Sequence, residues 1–570
     1  MQRLSRSALA TTSSLVAGSL LVAGSAAAQT TVLTISGKSI GDRLAQSVAG
    51  IGDVNGDLIP DWVVGAPLSD LAGNMSGSAL VLSGATGAEL YEFSGDSPVD
   101  FFGSSVAGGD LNGDGRADII VGAYADDVSG VDAGTVYAYS GLDGSLLWTQ
   151  GGVSAGDNFG FSVAYVPDTD GDGRGEVLVG AWTADGRAAN SGEARLLDGD
   201  SGAQIHVLRG LGSYDFFGKS VAGIGDVNGD GLGDLLVGAP GESTNGAGAG
   251  AAYLYSGASG ALLASFLGDQ AGDGLGSSVA DAGDVDADLN SDLILGSPGA
   301  DQGGNNAGRV RIHSGASGAI LRDLVGSAAG DNFGSAVTGD VDVDGDGRPE
   351  LVVGIAAADP SGPSSGQVQV FSGQDGSLLA TLDGGEAGGR YGAAVANAGD
   401  VDLDGADEVL IGAWGEAAGI GDFTGVVRAV TFGGSGALVY NYCISTQNSF
   451  GLNAVMQSSG PTSVGANLFQ LGVQSALPNS QGLFFYGPDE TQVPFGLGFR
   501  CVGGQVFRLS TVITNAAGDQ TIAVDLANPP SEAGRILPGS TWKFQFWYRD
   551  PQAIGGSFNL SDGLSATFTP

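Results

Sequence analysis

Seven nonapeptides place acidic or amide side chains at their first, third, fifth and ninth positions: DVNGDLIPD from Asp53, DLNGDGRAD from Asp110, DTDGDGRGE from Asp168, DVNGDGLGD from Asp226, DVDADLNSD from Asp284, DVDGDGRPE from Asp342 and DVDLDGADE from Asp400. The first four offer Asp53, Asn55, Asp57 and Asp61; Asp110, Asn112, Asp114 and Asp118; Asp168, Asp170, Asp172 and Glu176; and Asp226, Asn228, Asp230 and Asp234. The last three offer Asp284, Asp286, Asp288 and Asp292; Asp342, Asp344, Asp346 and Glu350; and Asp400, Asp402, Asp404 and Glu408. Odd positions on a tightly turned chain converge on one point. With a backbone carbonyl at position 7, such as that of Leu232, they approach the roughly six to eight oxygens that calcium takes. Three or four carboxylates within nine residues repel one another unless a cation or protons neutralise them. An acidic surface turn would explain one such loop, but not seven. Up to seven Ca²⁺ are therefore expected. Gly231, at position 6, permits the positive φ that the turn demands. The Asp284 loop has Ala287 and Leu289 where glycines belong and is expected to bind least well. The Asp53 loop, with Leu58 at position 6, comes next.

Other chemistry is poorly supplied. The two histidines, His206 and His313, each fall within a strand-like run of a different repeat, so thiol, serine and histidine–metal sites lack parts. The chain carries 21 Lys and Arg against 63 Asp and Glu, a net charge of −42, which excludes a basic grip on nucleic acid. The loops account for 25 of those 63 carboxylates; the others are most simply solvated surface. A pair of them acting on glycans remains an alternative.

The loops must be held by something that repeats with them. Their starts are 57 residues apart once and 58 residues apart five times. Glycine, 104 of 570 residues, punctuates short apolar runs, with four strands expected per unit. In the fourth unit these are Ser220 to Ala222, Leu235 to Val237, Ala252 to Tyr255 and Ala261 to Phe266. Four-stranded units of this length, arranged radially, make a propeller. The fold expected is all-β: a seven-bladed propeller followed by a smaller antiparallel sandwich.

Phe102-Gly103, Phe159-Gly160, Phe217-Gly218 and Phe333-Gly334, with Gly65-Ala66-Pro67 and Gly238-Ala239-Pro240, give the chain its resemblance to the FG-GAP repeat family. That family forms the propeller at the head of integrin α chains and occurs in bacterial surface proteins. Leu44-Ala45, Leu275-Gly276 and Tyr391-Gly392 depart from the first element, and Gly122-Ala123-Tyr124, Gly354-Ile355-Ala356 and Gly412-Ala413-Trp414 from the second. The unbroken spacing leaves no room for the domain that some members insert. The resemblance implies a calcium-binding recognition or adhesion protein with an extracellular protein or glycan as partner. A polysaccharide lyase or hydrolase, or a passive envelope component, are the alternatives, because a propeller hosts many activities.

Ends and joins complete the reading. Residues 1–28 have early arginines, a short apolar stretch and Ala26-Ala27-Ala28, as in a secretory signal cleaved near Ala28, and no later stretch is long and apolar enough to span a membrane. A secreted or cell-surface location follows. Residues 29–432 are expected to form the propeller. Thr31 to Ala45 aligns without gaps to Leu378 to Gly392, placing Val32 and Ile35 on Leu379 and Leu382, so the N-terminus is expected to supply the seventh blade's outer strand. Ala437 to Tyr442 competes for that slot. Residues 433–570 form the sandwich, with runs at Gly482 to Tyr486, Val506 to Val512, Thr521 to Leu526 and Trp542 to Trp547. Through Tyr442-Cys443, the 482–487 run GLFFYG, Cys501 and the 546–551 run FWYRDP, this part resembles a C-terminal module of secreted planctomycete-type bacterial proteins. Cys443 and Cys501 are the only cysteines; in an exported chain a disulfide is expected, a reactive thiol being the alternative. Loops after the GAP positions vary most between repeats, which marks that rim for a partner. Tyr124, Trp182 and Trp414 stand there, where aromatics stack on sugars or anchor proteins; packing around the central channel is the plainer alternative.

Overall fold

The computed structural model describes residues 30–417, 423–432, 440–441, 449–450, 454–459, 469–495, 498–526, 534–537, 540–551 and 558–568. The expected signal and Cys443 lie outside these residues. Among them every regular element is a strand.

Among the described residues, seven separate four-stranded antiparallel sheets recur along the chain. The fourth shows the pattern: Ser220–Ile224, Asp234–Ala239, Ala251–Ser256 and Leu262–Leu267, paired in sequence order. The second strand of every sheet is buried along its whole length, from Asp61–Ala66 through Glu408–Ala413. That is why it reads as a continuous apolar run: sheets cover it on both faces. The fourth strand, as in Leu378–Asp383, is only partly buried, and its apolar residues alternate with exposed ones. First strands neighbour one another in a cycle, Ser47–Gly52 touching both Ser105–Gly109 and Ala394–Gly399. The result is a propeller.

Ring closure follows the N-terminal route. Thr30–Ser36 pairs antiparallel with Val426–Thr431, beside Glu408–Ala413 and Ala394–Gly399. The ladder slips between Thr31 and Leu33, skipping Val32; in the sixth sheet it slips between Leu378 and Ala380, skipping Leu379. The two slips fall on the residues that the gapless alignment superposes. The rival segment is engaged elsewhere, Tyr440–Asn441 pairing with Phe558–Thr567. Trp62, fully buried, adds a bond across the seam from Nε1 to the Ala398 carbonyl, 3.2 Å.

The C-terminal strands form antiparallel sheets of five, three and two. Met456, Leu471 and Val473 of the three-stranded sheet pack on Phe484, Tyr486, Phe544, Phe546 and Leu564 of the five-stranded one. Two layers around a shared aromatic core make a sandwich.

Candidate metal centres

Each acidic nonapeptide links the first and second strands of one sheet, and a single hydrogen-bond scheme shapes all seven. The position-1 carboxylate accepts the N–H of position 6 at 2.6–3.0 Å in every loop, from Leu58 on Asp53 to Gly405 on Asp400. The position-9 carboxylate accepts the N–H of position 2 at 2.7–3.1 Å, again in all seven. Where position 9 is Asp, a glycine N–H from the turn between the third and fourth strands binds its other oxygen, as Gly257 does on Asp234 at 3.1 Å. Loop and turn therefore share one face of the propeller.

The scheme needs left-handed backbone at positions 4 and 6. Gly229 and Gly231 supply it at φ 80° and 84°. Leu58, Ala287, Leu289 and Leu403 adopt it at 60–73°, each against the steric preference of an L-residue. Leu403, in the Asp400 loop, is a departure that inspection of the sequence passed over.

The structure gathers carboxylate oxygens within 4.8 Å of one another at Asp168, Asp170, Asp172 and Glu176; at Asp284, Asp286 and Asp292; at Asp342, Asp344 and Glu350; and at Asp400, Asp402 and Asp404. In the Asp53, Asp110 and Asp226 loops an asparagine holds position 3. The amides of Asn55, Asn112 and Asn228 donate to Asp61, Asp118 and Asp234 at 3.0–3.3 Å.

Electrostatics mark the same groups. Burial, reinforced by neighbouring carboxylates, pushes Glu350 and Glu408 up to about 8, Glu176 and Asp292 to about 7, and Asp118 and Asp234 to about 6. In the last loop Asp404 Oδ2 and Glu408 Oε1 are buried and have no hydrogen-bond partner among the described residues. Buried acceptors left unpaired in a carboxylate cluster fit a hard cation, which would satisfy them and reverse the repulsion. The Asp53 loop differs: Arg116, at position 7 of the next loop, brings a guanidinium nitrogen to 3.5 Å from both oxygens of Asp53. A fixed positive charge there competes with any ion.

Comparison with known proteins is consistent with this geometry. The sequence pattern described as FG-GAP repeat matches residues 102–139, 217–255 and 333–371, and each match encloses one acidic loop. The propeller carries FG-GAP repeats. The chain is 35% identical over 215 residues to integrin alpha-5 of Xenopus laevis, covering 34% of this chain and 20% of that protein. It is 31% identical over 222 residues to integrin alpha-V of Gallus gallus, covering 35% and 20%. The alignment with these relatives thus spans about a fifth of their length. Among solved structures, one chain from "Crystal structure of BBS1N in complex with ARL6DN, soaked with lead" overlays at a TM-score of 0.42 with 12% identity, covering 71% of this chain and 97% of that one. At that score the overlay carries no argument.

The FG-GAP elements themselves are packing devices. Phe102, Phe159, Phe217 and Phe333 are at most 2% exposed, as are Leu44 and Leu275 in the departing repeats. The residue before this position is left-handed in every repeat, at Arg43, Phe101, Asn158, Phe216, Gly274, Asn332 and Arg390. Asn and Gly tolerate that conformation; a phenylalanine there costs about 1–2 kcal/mol.

Tyr124, Trp182 and Trp414 directly follow second strands, at the end opposite the acidic loops, and all three are half-buried. Tyr124 stacks on Phe101 with centroids 5.2 Å apart and meets Phe161 at 5.5 Å; Trp182 meets Phe161 at 5.0 Å and Phe216 at 5.2 Å. An aromatic arc therefore runs across three sheets, with Lys219 Nζ 5.7 Å from the Trp182 ring and Trp182 Nε1 buried without a partner among the described residues. Trp414 lies apart from it, under the guanidiniums of Arg43 and Arg390 at 4.6 and 5.9 Å. Phe101, Phe161 and Phe216 escaped the sequence reading. The Phe-Phe doublets at 101–102 and 216–217 were the available signal.

His206 and His313 sit in outer and third strands of different sheets. His313 is buried against the Phe266 ring at 4.5 Å, and burial lowers its pKa. Cys501 is buried, and its backbone N–H donates to Gln545 Oε1 at 2.9 Å.

Proposed function

We propose that this chain is an exported, calcium-binding, seven-bladed propeller that binds an extracellular protein or glycan. Residues 29–432 would form the propeller and 433–570 a second domain, stapled by a Cys443–Cys501 bridge. The observation that carries the metal reading is the hydrogen-bond scheme repeated in seven acidic loops, with orphaned carboxylate oxygens at Asp404 and Glu408. Asp168, Asp170, Asp172 and Glu176 form the most complete carboxylate set for an ion. Calcium would supply charge neutralisation and fix each loop against its turn; the protein's part is to hold oxygens at a spacing that a hard cation fills.

A recognition role of adhesion type draws its support from the likeness to integrin alpha chains and from the rim aromatics. Tyr124 and Trp182 lie in a surface arc whose two left-handed phenylalanines are costly to the backbone, so the rings are retained for what they present. The test is retention of the calcium-loaded protein on immobilised glycans and envelope extracts, with and without chelator. Retention should require calcium and fall at least tenfold in Trp182→Ala/Trp414→Ala that is folded and calcium-loaded. Full retention by that variant would place the site elsewhere, and turnover of a bound glycan would favour the enzyme.

A further inference from the structure

We propose that the C-terminal sandwich has a second binding site, for a small organic carboxylate with an apolar body. A cavity of about 500 Å³ lies on the face of the five-stranded sheet that points away from the aromatic core. That volume falls within the range of small-molecule sites. Its floor follows from register: Leu560, Trp547 and Leu483 are cross-strand partners in one row, and Phe485, two residues beyond Leu483, faces the same way. Phe484, Phe546 and Tyr548, the alternate residues, fill the core behind. The hairpin Asp489–Phe495 and Gly498–Gly503 lies over this floor, anchored where Cys501 N–H donates to Gln545 and Gln545 Nε2 donates to the Ser561 carbonyl at 2.8 Å.

Among the described lining residues two side chains are charged, and both are cationic. Arg500 comes from the hairpin and Arg508 from the paired edge strand, opposite Phe485. Among the described residues neither forms an ion pair, and Arg500 Nε is buried without a hydrogen-bond partner. In a chain of net charge −42, two guanidiniums facing one apolar cleft with no acid among the described lining residues form an electrostatic exception. The planar fork of arginine matches a carboxylate, and the aliphatic and aromatic walls match a hydrocarbon body. A sugar fits poorly, because the described wall residues offer its hydroxyls no amide or hydroxyl partner, and polar groups desolvated without partners are unfavourable. This site is independent of the propeller and of calcium.

The test is calorimetric titration of the full calcium-loaded chain with decanoate, decanol and acetate, which separate body from charge. Decanoate should bind at one site, at least tenfold more tightly than either decanol or acetate, and more weakly as salt rises. Arg500→Gln/Arg508→Gln should lose at least tenfold for decanoate and leave decanol unchanged; Trp547→Ala should weaken both ligands. Equal affinity for decanol and decanoate, or decanoate affinity unchanged in an arginine double variant with the parent's circular dichroism, would overturn the proposal. Saturation with decanoate should leave retention by partners at the propeller rim unchanged; a change there would show that the anion acts elsewhere.

Discussion

At the scale of single residues, the loops show how much a turn can demand of its sequence. Position 6 donates to the position-1 carboxylate in all seven, whether it is glycine or leucine. Gly231→Ala should therefore cost about 1 kcal/mol by forcing a Cβ into left-handed backbone, while Leu289→Gly should change stability by less than about 1 kcal/mol, relieved strain offsetting lost unfolded-state restriction. Denaturant unfolding in saturating calcium reads both. Asp230→Ala removes a carboxylate from a loop with glycine at both turn positions and should release one ion by direct metal analysis, whereas Asp288→Ala, in the loop with Ala287 and Leu289, should change the count less. The acidic residues were legible because their spacing is local. Arg116 was not, since its contact with Asp53 joins two repeats and depends on the rotation between neighbouring sheets. Nor could the sequence tell which phenylalanine of Phe101-Phe102 would be buried; the left-handed φ of 52° at Phe101 turns one ring into the arc and leaves the other in the core.

Each acidic loop is an electrostatic unit whose ninth residue is buried at the start of a strand. Glu350 and Glu408 near 8 and Glu176 and Asp292 near 7 lie above the values of an unfolded chain, about 4. The metal-free native state then holds protons that the unfolded state has lost, so its stability must fall as pH rises from about 5 through 8. In chelator the melting temperature should decline across that window, and in excess calcium the decline should disappear, because the ion needs the deprotonated form. A flat metal-free profile would show that these carboxyls are not raised. Strand positions were readable from apolar runs and glycine punctuation. In the C-terminal part, the runs at 482–486 and 542–547 became paired strands, but the face carrying Arg500 and Arg508 depends on a hairpin that the pattern did not reveal. The proposed Cys443–Cys501 bridge belongs to this scale too: two titratable thiols in the denatured, unreduced protein would contradict it.

At the scale of the whole molecule, the propeller is a cycle closed by its first described strand. Thr30–Ser36 covers the edge of Val426–Thr431, and an uncovered edge would offer a row of unpaired backbone groups to another chain. Deleting residues 30–36 should lower the melting temperature and promote self-association seen by size-exclusion chromatography; a monomer of unchanged stability would contradict the closure. Periodicity made the sheet count legible, and a gapless alignment located the closing strand down to its bulge. What stayed hidden were side-chain contacts between neighbouring repeats, such as that of Arg116 with Asp53. Charge binds these scales together: 25 of 63 carboxylates fall at the proposed ligand positions of seven loops, so neutralising them should stabilise the fold at neutral pH. The most direct measurement is thermal unfolding at pH 7.5 in excess calcium and again after chelation, with bound metal assayed in each sample. A metal-free protein that melts well below the calcium-loaded one is the predicted result; equal melting temperatures, with the metal shown to be gone, would contradict the calcium-dependent propeller.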